Sequence, residues 1–227
     1  MVSNVGGATI VVNDNIWRGE PALTEGPYHH GNLRAALLER AEAVLTESGV
    51  DGLSLRALAR DLGVSHAAPS RHFRDRQALL DALAVSGFTR LNARLRTAAE
   101  APGPVPARLA GLGRAYVEFA VTQAPLLALM FSAKHADDSS AELRELGHHS
   151  LDTAAALIAQ AQEEGAVRAG DPARLAQVAF STVHGLATLA LGSLLDDTPL
   201  AEATDLALDV LLTGLRHPDR QGPSRLI

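Results

Sequence analysis

The sequence predicts an all-α fold, and three observations carry that prediction. Leu and Ala dominate the apolar residues, while aromatic residues make up only 4% of the chain, too few for a sandwich or barrel. Apolar side chains recur at i, i+3, i+4 and i+7 over most of the chain from Asn32 onward. Caps, prolines and glycines fall between these stripes, where helices should start and stop. About nine helices follow, with no convincing strand.

The first runs from near Asn32, with Leu33, Leu37, Ala41, Val44 and Leu45 on one face, and ends at Gly49. Ser54 is a good N-cap for Leu55, Leu58, Ala59 and Leu62, and Gly63 breaks that helix after two turns. Ser65 caps a third, short helix ending near His72. Pro69 falls at the edge of its first turn, so an irregular, 3₁₀-like start is expected. Asp75 opens a long helix carrying Leu79, Leu80, Leu83, Leu91 and Leu95, which stops at Ala101-Pro-Gly-Pro-Val-Pro106, the main break in the chain. Beyond it, Leu109, Leu112, Tyr116 and Phe119 form a stripe, Pro125 opens a helix through Met130 and Phe131, and Leu143 to Ile158 line another that ends at Gly165. Asp171-Pro172 and Thr198-Pro199 each place proline at the start of a further helix. Residues 1–27 show no helical period and read as a mobile extension. Residues 217–227 read as a tail.

Charge is unevenly placed. The chain carries a net −6, but residues 28–80 hold seven Arg against six acids. The acidity lies mainly further on, so the N-terminal part can meet phosphate. There is no Cys, and no N-terminal segment combines basic residues, an apolar run and a cleavage site, so a cytoplasmic protein is expected. Val178 to Leu195 is uncharged, but Ser181, Thr182, His184, Gly185, Thr188, Gly192 and Ser193 interrupt it, which reads as a buried helix rather than a membrane span. No Gly-x-Ser-x-Gly, Gly-x-Gly-x-x-Gly, P-loop or His-Glu-x-x-His occurs, so an enzyme is not expected. The pairs Asp137-Asp138, Glu163-Glu164 and Asp196-Asp197 read as solvated. His148 and His149 point about 100° apart on a helix, a poor metal pair, so neither metal nor cofactor is expected.

Two short helices joined by Leu62-Gly63-Val64 make a helix-turn-helix pattern, with Val64 and Phe73 plugging the core. The residues that fill it are Tyr28-His-His-Gly-Asn-Leu-Arg34, Leu53-Ser-Leu-Arg-Ala-Leu-Ala59, Gly63-Val-Ser-His-Ala-Ala-Pro69 and Arg71-His-Phe73. Together they resemble the TetR family of bacterial transcriptional regulators. Ala124-Pro-Leu126, Leu129-Met-Phe131 and Val183-His-Gly185 resemble landmarks of a subgroup named for a C-terminal Trp-His-Gly motif, with Val183 where the motif has Trp.

The resemblance implies a DNA-binding region over 28–80, a ligand-binding and dimerisation region over 81–216, and a homodimer that represses from a double-stranded operator until a small-molecule effector releases it. It places Ser65, His66, Ala67, Ala68, Ser70 and Arg71 on or near the recognition helix, Ser54 at the start of the preceding helix, and Arg76 and Arg34 near phosphate. Ser70 stands where the family usually has Tyr, and serine is too short to reach the same phosphate. An alternative is therefore a helical ligand-binding or scaffold protein without sequence-specific DNA binding. Tyr116, Phe119, Met130, Phe131, Phe180 and His184 are the candidate ligand residues, each equally readable as plain core. The candidate dimer interface is Leu175, Val178, Ala179, Gly185, Leu186, Leu189 and Gly192 on one helix, with Leu206, Leu208 and Leu211 on the next.

Overall fold

The computed structural model describes residues 33–136 and 139–216. The expected extension and tail, the motif residues 28–32 and the pair Asp137-Asp138 lie outside the described residues. Among the described residues there are eight α-helices: α1 (Leu33–Ser48), α2 (Leu55–Asp61), α3 (Arg76–Ala99), α4 (Val105–Thr122), α5 (Ala124–Lys134), α6 (Ala141–Glu163), α7 (Pro172–Leu191) and α8 (Leu200–Leu215). The expected ninth helix, over Ser65 to His72, is instead a 3₁₀ turn, Pro69–Arg71, preceded by turns. Its bonds run i to i−3: Ala68 N–H to Ser65 O, Arg71 N–H to Ala68 O and His72 N–H to Pro69 O. Pro69 has no N–H to extend an α-helical ladder, and the chain closes the tighter turn.

Helix ends follow local chemistry. Gly63 takes φ +66 after α2. Gly63 N–H then reaches Arg60 O, and Val64 N–H reaches Ala59 O. This Schellman closure satisfies two carbonyls and turns the chain toward Ser65. Asp75 caps α3, its carboxylate accepting from Ala78 N–H at 2.8 Å, and Asp171 and Ser140 cap α7 and α6 in the same way. Ser54 begins α2 in an extended conformation, but its hydroxyl makes no capping bond.

Helix α3 is the shared wall. It packs against α1, α4, α5 and α6, burying Leu79, Leu80, Leu83, Phe88, Leu91 and Leu95. The main core is continuous from Leu37, Leu45, Leu58 and Phe73 through this face to Phe119, Met130 and Val183. Close approach at two crossings depends on glycine. A Cβ on Gly87 would lie 2.5 Å from Met130 Sδ, and one on Gly113 would lie 2.5 Å from Leu208 Cδ2. A second cluster, including Val105, Leu157, Ile158, Val167, Leu175 and Leu215, closes the far end. There Val167 and Arg216 form an isolated antiparallel bridge. Among the described residues no single helix is long and apolar enough to cross a membrane. The α4–α5 pair passes only when taken together, across a bend of 101°.

Phe73 is 2% exposed and, with Pro69, anchors the turn between α2 and α3 in this core. Phe73→Ala is expected to cost about 3–5 kcal/mol. Urea denaturation followed by circular dichroism should show a midpoint shift of that size with unchanged slope.

Candidate nucleic-acid interface and ligand cavity

The turn between α2 and α3, the candidate recognition element, is anchored by two residues and exposes most of the others. Pro69 and Phe73 are buried, Ala68 is half-buried, and Ser65, His66, Ala67, Ser70 and Arg71 face solvent. These five polar or small side chains lie on one short stretch that follows α2 directly, with Arg56 and Arg60 exposed on α2 itself. The electrostatic frame is intramolecular. Arg40 Nε donates to Asp61 Oδ2 at 3.0 Å, fastening α1 to the end of α2. This ion pair lowers the Asp61 pKa and raises that of Arg40, the hydrogen bond between them being the largest cause in each case. Arg90 donates to both carboxylate oxygens of Glu42, each at 2.9 Å, fastening α3 to α1.

Two candidate phosphate residues have work inside the chain. Arg34 is exposed, and its guanidinium lies 5.5 Å from the centre of the Phe73 ring. Arg76 donates from Nε to Leu53 O at 3.0 Å and from Nη2 to Val50 O at 2.5 Å. It thereby ties the loop before α2 to the first turn of α3. Ser54, whose hydroxyl takes no part in capping, is exposed at the start of α2 beside that loop.

A cavity of about 260 Å³ lies between α3, α4, α5, α6, α7 and α8. Of the candidate ligand residues, Tyr116, Phe131 and Phe180 line it. Phe119 and Met130 are placed elsewhere, fully buried in the main core, where Met130 fills the gap that Gly87 leaves. His184 is absent from the wall but backs it. Its Nδ1 lies 2.8 Å from Tyr116 Oη, and its ring stacks on Phe180 with centroids 5.2 Å apart. Phe88, Phe131 and Phe180 continue the aromatic wall through edge and tilted contacts of 6.1 and 6.2 Å. Burial raises the Tyr116 pKa and lowers that of His184, so the pair is a neutral hydrogen bond at pH 7.

Lys134, Gly147 and Ser150 also line the cavity. Nothing in the linear pattern marks them: Lys134 sits at the end of α5, where a basic residue is ordinary helix chemistry, and α6 carries its apolar stripe past Gly147.

The candidate dimer residues divide by burial. Leu175, Leu186 and Leu208 are inside the subunit, while Ala179, Leu208 and Leu211 line the cavity. Val178, Leu189 and Leu206 are 55%, 44% and 63% exposed, and Val210 and Leu194 join them at 63% and 64%. Gly185 lies on α7, where an added Cβ would meet nothing within 4 Å, while Gly192 is the residue just past the end of that helix, so the expected shared face does not extend to it. Apolar side chains are thus exposed on α7, on α8 and in the loop between them.

Residues 37–83 match the family model described as "Bacterial regulatory proteins, tetR family", and residues 109–215 match one described as "Tetracyclin repressor-like, C-terminal domain". The chain belongs to the TetR family. The tetracycline repressor protein class A from transposon 1721 of Escherichia coli is 54% identical over 52 residues, covering 23% of this chain and 22% of that protein. The class D repressor of Escherichia coli is 40% identical over 57 residues, 25% of this chain and 26% of that one. The chain thus spans about a quarter of the length of the curated relatives it matches. A solved structure of a protein with unknown function from Rhodococcus sp. RHA1 is 54% identical, with a TM-score of 0.80 over 85% of this chain and all of its own. The TetR family regulator PfmR from Thermus thermophilus shares the fold, with a TM-score of 0.63 at 22% identity over 80% of this chain and 99% of that one.

His184 gives this TetR-family chain a pH signature. Its folded pKa lies below the unfolded value, so its neutral, bonded form contributes stability above about pH 6.5, and that contribution is lost as pH falls through the folded pKa. The fall in melting temperature between pH 7.5 and 5.5 should shrink in His184→Gln relative to wild type. An undiminished fall would remove His184 from this account.

Proposed function

We propose that the chain is a homodimeric, operator-binding transcriptional regulator, a repressor whose DNA affinity falls when a small effector fills the cavity. The observation that carries this reading is the path of α3. One end of it is capped beside the exposed recognition turn, and Phe88, Leu91 and Leu95 further along it line the cavity. Ligand bound in the cavity and DNA bound at the turn therefore act on one rigid element. An effector shifts the equilibrium only by its differential affinity for the two arrangements of that element.

In this reading Ser65, His66, Ala67, Ser70 and Arg71 enter the major groove, with Arg71 able to present a bidentate fork to guanine. Ala68, half-buried, supports the turn from behind. Ser54 and Arg34 contact phosphate. Arg76 contributes through the loop it holds, and a phosphate contact is left to its remaining amino group. Two such turns must stand about 34–36 Å apart for successive major grooves, which the exposed α7–α8 face provides by pairing with its copy. The same residues favour the Trp-His-Gly subgroup, with His184 and Gly185 in the motif's last two places.

Fluorescence anisotropy of the purified protein against its own upstream DNA, beside a scrambled duplex, tests the reading. Submicromolar binding is expected, with at least about tenfold preference for the upstream DNA and a steep loss from about 50 to 200 mM salt. Arg71→Ala should weaken upstream binding about tenfold and narrow the preference. The paired change Leu206→Glu and Val210→Glu should yield monomers in sedimentation experiments and abolish the preference. Equal, weak binding to every candidate duplex would instead favour a ligand-binding protein without DNA recognition, in keeping with Ser70.

A further inference from the structure

The cavity wall is mostly apolar, and among the described residues Lys134 is the one Lys or Arg in it. Lys134, at the last position of α5, is partly buried, and its stem crosses α6 at Gly147. A Cβ on Gly147 would lie 2.4 Å from Lys134 Cδ and 2.8 Å from Cε. Glycine inside a helix costs about 1 kcal/mol relative to alanine, and the space it frees in α6 is filled by the lysine stem. The ammonium donates to Gly147 O at 3.0 Å, the only bond it makes among the described residues, and an ammonium has three donors. Among the described residues no Asp or Glu lines the cavity.

The other polar side chains of the wall each make a hydrogen bond within the chain. Ser150 Oγ donates to Asn92 Oδ1 at 2.6 Å, and Asn92 Nδ2 donates to Leu146 O at 3.0 Å. His135 Nδ1 lies 2.7 Å from Phe131 O, and Tyr116 Oη is held by His184. A partly desolvated cation without an anion is costly, and burial lowers its pKa accordingly. The site therefore has one positive charge to neutralise and an aromatic wall beginning one turn back at Phe131.

We propose that the cavity takes a small carboxylic acid with an apolar body, its carboxylate paired with Lys134 Nζ and its body against Phe131, Phe180 and Phe88. This rests on the reading of the cavity as the effector site. A single carboxylate matches a single ammonium. A phosphate ester carries about −1.5 to −2 and has three acceptor oxygens, which one lysine does not satisfy. The volume, about 260 Å³, limits the ligand to a compact one.

The test is isothermal titration calorimetry of the full chain with octanoate and 3-phenylpropanoate, each beside its alcohol, 1-octanol or 3-phenylpropanol. At least one acid should bind about tenfold tighter than its alcohol. The alkyl and aryl arms tell which body the wall accepts. Lys134→Met should erase the preference, and Lys134→Arg should keep it. Gly147→Ala, which displaces the stem, should reduce it. Circular dichroism checks that each variant is folded, and Lys134→Gln serves if Lys134→Met is not. Alcohols binding as tightly as their acids, or a folded Lys134→Met that still prefers the acid, would overturn the carboxylate assignment while leaving the cavity as a ligand site. Failure of all four compounds to bind at about 1 mM would overturn both.

Discussion

The burial of one side of α3 is the constraint on which the other elements depend. Leu79, Leu80 and Leu83 are buried toward its N-terminal end, while Phe88, Leu91 and Leu95 form part of the cavity wall, all on one helix of 24 residues. Each buried Leu or Phe is worth about 1.5–3 kcal/mol relative to exposure, so neither end of α3 can leave its neighbours cheaply. Gly87 sharpens the constraint. With Met130 packed where its side chain would be, α3 and α5 touch too closely to slide freely. In the proposed reading, a shift at the cavity is passed on as movement of packed bodies rather than absorbed locally.

The polar contacts arrange themselves around that core. Arg90–Glu42, Arg40–Asp61 and Arg76 with the Val50 and Leu53 carbonyls fix α1, α2 and the loop between them to α3. The exposed ion pairs among these contribute little stability, because solvent and salt screen them. Their effect is on orientation, because each joins elements whose apolar contacts alone leave rotation possible.

Much of this was legible in the sequence because helices announce themselves by period and punctuation. Leu37, Ala41 and Leu45 fall on the buried face that their spacing predicts, and Asp75, Asp171 and Gly63 end or begin elements where their chemistry says they should. Pro69 signalled an irregular turn but not that the α-helix would be lost altogether, since that outcome depends on packing of Pro69 and Phe73. The cavity was only half legible. An aromatic or methionine at helical spacing looks the same whether it meets a void or another side chain, so Tyr116 and Met130 could not be told apart. Lys134 gave no sign at all, because its partner Gly147 is thirteen residues away on another helix. The outer α7–α8 face was visible as an apolar pattern, yet such a pattern does not say which Leu faces inward, as Leu208 does beside the exposed Leu206.

The recognition turn separates two kinds of sequence information. Pro69 and Phe73 carry its attachment to the fold, while Ser65, His66, Ala67, Ser70 and Arg71 are exposed. Substitutions at exposed positions away from caps and networks usually change stability by less than about 0.5 kcal/mol. The five positions are therefore nearly free to drift as far as folding is concerned. In the proposed reading, where these positions meet DNA, a lineage carrying this scaffold can acquire a new genomic address by point mutation without first gaining a reserve of stability, and copies of the gene can diverge in target while keeping the same body.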